Sequence, residues 1–138
     1  MFEHCIYFNA TSLARQLERE WARAFKPFGL TPPQAFMLRA ILDKGSITST
    51  DLAAELNITK ATCSRTLDGL IELGCATRVQ AGADGRSHAL HPTAKSRGMQ
   101  GDLNQASAET TRKIKRIIGS DTFEATVKSL RRIRSSIR

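Results

Sequence analysis

Three cysteines (Cys5, Cys63, Cys75) and three histidines (His4, His88, His91) are the residues best suited to nucleophilic, acid–base or metal chemistry. Their spacing assembles none of it. There is no Cys-x-x-Cys and no His-Glu-x-x-His, so no zinc site, other metal or cofactor is expected. The histidines form no constellation with a nucleophile and an acid, and strand alternation would set His88 and His91 on different faces. An odd number of widely spaced cysteines argues against a disulfide scaffold and suits a reducing cytoplasm. Cys63 and Cys75 occupy apolar positions and read as small buried hydrophobes. Cys5 stands apart, near the N-terminus in His4-Cys5-Ile6-Tyr7-Phe8-Asn9.

A second group of residues suits recognition rather than catalysis. Thr59, Lys60, Thr62, Ser64 and Arg65 crowd into seven positions at the start of a helical pattern. At about 3.6 residues per turn, Cys63, Leu67 and Leu70 share its core face, while Ala61, Ser64, Arg65, Asp68 and Glu72 lie opposite. Small polar side chains let a backbone approach a major groove, and an arginine there can pair bidentately with guanine or clamp a phosphate. Asp68 and Glu72 would repel phosphates, so only the N-terminal half is expected to enter the groove. Farther on, Asp84-Gly85-Arg86 marks the tip of a hairpin. Arg86 could reach a narrow minor groove with Asp84 holding its guanidinium, and His88 joins the DNA-facing set. The bland alternatives are an ordinary amphipathic helix and a surface Asp–Arg pair worth little.

The elements that would position these groups follow from periodicity and caps. A helix is expected from about Asn9 to Lys26, ended by Pro27. Thr31-Pro32-Pro33-Gln34 is a capping box that opens a second helix, stopped at Gly45. Ser46-Ile47 allows a very short strand, and Thr48-x-x-Asp51 caps a helix over Asp51–Leu56. Asn57 is a left-handed break, and Thr59 caps the helix that runs to Leu73 and stops at Gly74. Cys75–Gln80 and Ser87–His91 read as hairpin strands, the second ended by Pro92. One helix is expected over Thr93–Ile118, and Gly119-Ser120-Asp121 starts another. Phe123, Val127, Leu130, Ile133 and Ile137 give that last helix an apolar stripe.

Composition agrees with a DNA-binding domain. The 138 residues carry 21 Lys and Arg against 13 Asp and Glu, a formal charge of +8. Net charge is +1 over residues 1–30, −1 over 31–76, +3 over 77–101 and +5 over 102–138, so most of it follows residue 76. That distribution is the footprint of a polyanion partner or a merely solvated basic surface. No run is apolar enough to span a membrane, and the first residues lack the pattern of a secretory signal.

Taken together, Leu52-Ala53-x-x-Leu56, Ile58-Thr59-x-x-Thr62, Arg65-x-Leu67-x-x-Leu70, Gly74 and Asp84-Gly85-Arg86 resemble the MarR family of winged helix-turn-helix regulators. The resemblance spans essentially the whole chain. It implies a mainly α fold with a small β wing, in which N- and C-terminal helices form a dimerisation region. Residues 1–30 would be the N-terminal dimerisation helix, 31–92 the DNA-binding lobe, and 93–138 the C-terminal dimerisation helices of one intertwined domain. It further implies a homodimer on a palindromic double-stranded operator, and a small-molecule or oxidant effector that weakens binding. Independently, the apolar stripes of the terminal segments exceed what one small core can cover, and two-fold pairing would bury them. After the wing, Pro92-Thr93-Ala94-Lys95-Ser96 replaces the family's usual Leu-Thr-x-x-Gly.

Two triggers are expected. Trp21, Phe25, Phe28, Phe36 and Met37 could line a pocket for an apolar or aromatic effector, although such a cluster also suits a core. Cys5 resembles the N-terminal cysteine of the family's organic-hydroperoxide-sensing branch, where oxidation to a sulfenic acid would disturb the interface. That branch surrounds its cysteine with several tyrosines, whereas this chain has only Tyr7. Packing at the interface is the other role for Cys5. The expected function is a non-enzymatic transcription regulator, a repressor. The alternatives are a thiol-based peroxide-reacting enzyme and a non-specific architectural DNA-binding protein.

Overall fold

The computed structural model describes residues 1–81 and 87–137. Helix α1 spans Ile6–Phe25 and begins three residues before the position expected from the sequence. Cys5 is its N-cap, with an extended backbone and a Sγ that accepts the Phe8 N–H at 3.5 Å. Lys26–Phe28 form a 3₁₀ turn around Pro27. The capping box then opens α2, Pro32–Lys44. Thr31 Oγ1 accepts from Gln34 N–H at 3.4 Å, and Gln34 Oε1 accepts from Thr31 N–H at 3.0 Å. Two of the helix's unpaired donors are thereby satisfied reciprocally.

Strand β1 is the short piece Ile47–Thr48, and α3 spans Ser49–Leu56. The helix starts at Ser49 rather than Asp51 because Thr48 is its cap and accepts the Asp51 N–H at 3.1 Å. Asn57 adopts the left-handed conformation with φ of 56°. An asparagine tolerates that conformation better than most side chains, which lets α3 end abruptly and α4, Lys60–Glu72, leave in a new direction. Strands β2 (Ala76–Ala81) and β3 (Ser87–Pro92) pair antiparallel, with Arg78 opposite Leu90 and Gln80 opposite His88. Strand β1 adds to the other edge of β3, giving the order β1-β3-β2.

The single helix expected over Thr93–Ile118 is two: α5, Ala94–Arg97, and α6, Gln100–Ile118, separated by Gly98 and Met99. The divergent Pro92–Ser96 segment has a definite task. Thr93 and Ser96 form a capping box, the Thr93 hydroxyl donates to Gly74 O at 2.7 Å, and Lys95 Nζ donates to Leu73 O at 2.7 Å. Carbonyls at the end of α4 are satisfied by the start of the next segment, which fixes one to the other. Helix α7 spans Ser120–Ser136.

One core joins α1–α4, α6 and the sheet. Phe25, Met37, Leu38, Ile41, Leu52, Leu67, Leu70, Leu90 and Leu103 are all fully buried in it. Each such side chain contributes about 1.5–3 kcal/mol of burial. Between the terminal helices and the lobe lies a polar junction. Buried Ser107 Oγ on α6 accepts from Trp21 Nε1 (3.3 Å) and Arg39 Nη1 (3.0 Å), while Arg39 Nε donates to Asn104 Oδ1 at 2.8 Å. Burial pulls the Arg39 guanidinium below its ordinary value. Glu20 of α1 bonds Lys113 of α6 at 3.0 Å, the main cause holding its carboxyl below the usual range. No residue of α7 is buried among those described.

Candidate nucleic-acid interface

Helix α4 is backed by Cys63, Leu67 and Leu70, which are 2%, 1% and 0% exposed. Burial pushes the Cys63 thiol up, so it stays protonated, and its Sγ donates to Ser49 O at 3.8 Å. Cys75 is also buried, whereas Cys5 is exposed. On the other side, Lys60, Ala61, Ser64 and Arg65 are exposed and Thr62 is half-buried. The N-terminal turn is ordered by its own hydroxyls. Thr59 Oγ1 accepts from Thr62 N–H at 3.1 Å and donates to Thr62 Oγ1 at 3.1 Å. Arg65 Nη2 then donates to Thr62 Oγ1 at 3.2 Å, so its guanidinium lies back over the helix start. Thr59, Lys60, Thr62, Ser64 and Arg65 therefore share one end of one rigid helix. The positive end of the helix dipole adds to Lys60 and Arg65 there.

Asp68 behaves differently from its sequence-level reading as a bare repulsive charge. Arg78 Nη2 on β2 pairs with Asp68 Oδ1 at 2.8 Å, across an exposed surface. An exposed pair of this kind contributes little stability, but it neutralises the acid and links α4 to the hairpin. Sequence reasoning missed Arg78 because pairing across ten residues depends on how the hairpin folds back. The only hint was its place in β2, four residues beyond Gly74.

His88 is exposed on β3, on the strand leaving the hairpin tip. His91 is half-buried and its Nε2 lies 3.3 Å from Ser46 Oγ, so it ties β3 to the segment before β1. Asp84 and Arg86 lie outside the described residues. No group of three or more His, Cys, Asp or Glu among the described residues could hold a metal. No helix among them is long and apolar enough to cross a membrane.

The five aromatic-pocket candidates separate. Trp21 and Phe36 line an open, mainly apolar cleft of about 500 Å³ between α1, α2 and the α3–α4 turn, together with Leu17, Leu56, Ile58 and Thr62. Phe25 and Met37 are fully buried and belong to the core, and Phe28 packs half-buried against that core away from the cleft. The Phe25 ring meets Phe36 edge-on, with centroids 6.0 Å apart, and Arg39 lies 5.1 Å from the Phe36 centroid on the same junction.

Residues 28–87, the segment that runs through α4 and β2 to the first residue of β3, match the family model described as MarR family. That segment is similar to the MarR family. Solved structures share the chain's fold along nearly its full length. The transcriptional repressor CouR, bound to a 23-mer DNA duplex, superposes with a TM-score of 0.85 at 22% identity, covering 96% of this chain and 94% of CouR. The S. aureus MepR–DNA complex gives 0.85 at 17% identity, covering 98% and 100%. A mutant MarR from E. coli complexed with operator DNA gives 0.82 at 18%, covering 100% and 99%. No curated protein matches the chain at the sequence level.

Proposed function

We propose that the chain is a sequence-specific double-stranded DNA-binding regulator, a cytoplasmic repressor that acts as a homodimer on a palindromic operator. The observation that carries this reading is the N-terminal half of α4. It presents Lys60, Ser64 and Arg65 outward from a helix clamped by the core, in a fold shared with proteins solved on DNA. Exposed Leu13, Ile117, Val127, Leu130 and Ile133 on the terminal helices support the dimer. Residues 1–30 and 93–138 would supply its interface, flanking the reading lobe of residues 31–92. Two-fold pairing would set two copies of α4 about one DNA turn apart. Within the hairpin, Arg86 is assigned to the minor groove with Asp84 as its support, and His88 to the flanking backbone.

Arg65→Ala is expected to lower operator affinity by about 1–3 kcal/mol and relax selectivity at one base pair. Lys60→Ala should weaken all duplexes alike and reduce the salt slope by about one contact. Fluorescence anisotropy on operator and scrambled duplexes checks both, and unchanged affinity in both variants would remove this helix end from the interface.

The effector is read as a small apolar aromatic molecule in the Trp21–Phe36 cleft. Thr62 borders both this cleft and the DNA-facing end of α4, so an occupant presses directly on the recognition helix. Exposed Glu18 at the rim disfavours anions. Phenol should therefore quench the single tryptophan saturably and release operator, with both effects weakened by Phe36→Ala. A linear, non-saturating response would contradict the assignment.

Oxidation of Cys5 is a second trigger, favoured by its exposure while Cys63 and Cys75 are buried. A mild hydroperoxide should release operator DNA. Cys5→Ser should resist while still folding, because serine is itself a good helix cap. Replacing Cys63 or Cys75 should confer no resistance. Oxidant-insensitive binding by the native protein would end the redox reading.

A further inference from the structure

A second recess lies on the other side of the α3–α4 turn. It is a cleft of about 680 Å³ between Asn57 and one face of α7, and Lys128, Arg131, Arg132 and Arg134 line it. Lys128 stands three and four residues from Arg131 and Arg132, and Arg134 stands three from Arg131, so all four fall on one half of the helix surface and border the same recess. The cleft's one carboxylate, Glu124, is already bonded to Lys115 at 3.0 Å. None of the four cations has an ion-pair partner among the described residues. Like charges crowded in a concave site repel one another and focus a strong positive potential, so an anion entering gains from all four at once.

We infer that this cleft is a binding site for a small molecule bearing an oligophosphate group. Three arginines favour phosphate oxygens, which they can bond bidentately, and the recess accommodates a linear di- or triphosphate. A DNA duplex is a convex rod and is better matched by the protruding end of α4 than by a concavity of this size. The Asn57 amide adds neutral donor and acceptor groups opposite the cations. Leu56 and Ile58, on either side of Asn57, line the apolar cleft. An anion held here therefore braces the turn on which that cleft and the recognition helix both depend. The site stands independently of operator reading, because its occupancy can be measured without DNA.

The test is calorimetric titration of the full chain with inorganic tripolyphosphate at low ionic strength. Saturable binding is expected, at least tenfold tighter than that of inorganic monophosphate. Arg131→Ala/Arg132→Ala should weaken it at least tenfold, as should the separate pair Lys128→Ala/Arg134→Ala. The pair Arg112→Ala/Arg116→Ala, exposed on α6 and outside the cleft, removes the same charge and should change it less than threefold. Equal weakening by the α6 pair would overturn the proposal, since it would mean diffuse attraction to a basic protein. Cleft variants that leave tripolyphosphate binding intact but lower duplex affinity and its salt slope would also overturn it, assigning these cations to DNA backbone. Thermal melting of each variant confirms folding, and the two cleft pairs give independent readings if one is unstable.

Discussion

Replacing Leu67 with alanine is expected to destabilise the chain by about 2–5 kcal/mol, a large share of the stability of a domain this size. Leu67 is 1% exposed and lies on the inner face of α4, in the same core as Leu38, Ile41 and Leu70. Truncation removes the burial of several methyl and methylene groups and leaves a cavity where α2, α3 and α4 converge. Helix α4 is then loosened against its support, so operator affinity should fall although Leu67 lies on the face opposite the proposed DNA contacts. Urea denaturation measures the loss as a lower midpoint with an unchanged slope. A cost below about 1 kcal/mol would mean that α4 does not rest on this core.

The second large effect concerns assembly. Leu130 is 45% exposed on α7, so Leu130→Glu should hardly change the stability of the isolated fold. Surface changes away from special features usually stay within about 0.5 kcal/mol. At a dimer interface the same substitution buries an unpaired charge and separates the protomers. Two half-sites bound by one linked molecule exceed the affinity of either alone by about 10²–10⁴-fold. Operator affinity should fall by that order as the sedimenting species shifts from dimer to monomer. A variant that stays dimeric with native affinity would place the interface elsewhere.

Local rules made most of the fold legible. The capping residues Thr31, Thr48 and Thr59 and the breaks at Asn57, Gly74 and Gly119 are determined within a few residues, and the structure has them where the pattern put them. Helix α1 starts earlier than the sequence pattern indicates because Cys5 caps it, and a thiol is a weak acceptor that cap signatures do not include. The helical pattern after Thr93 is interrupted at Gly98 and Met99. Tertiary bonds from Thr93 and Lys95 to the end of α4 fix that segment's start, and no periodicity reports them. The buried and exposed faces of α4, the second of them the proposed DNA-reading surface, could be read from its periodicity. Arg78 and the cationic face of α7 could not, because each matters through a neighbour distant in the chain. Splitting the aromatic set needed the tertiary structure too: helical spacing cannot tell Phe25, pointed into the core, from Phe36, pointed into a cleft.

The central claim is that the chain reads sequence, and competition measures this directly. Duplexes retained by the purified protein from a random pool are sequenced, and the enriched sequence is competed against a scrambled duplex of equal length at fixed salt. The expected result is a palindromic consensus with half-sites one helical turn apart, held about 10³-fold or more tightly than the scrambled duplex. Equal competition by both duplexes, with no enriched sequence, would contradict it and leave a basic protein that binds DNA by charge alone.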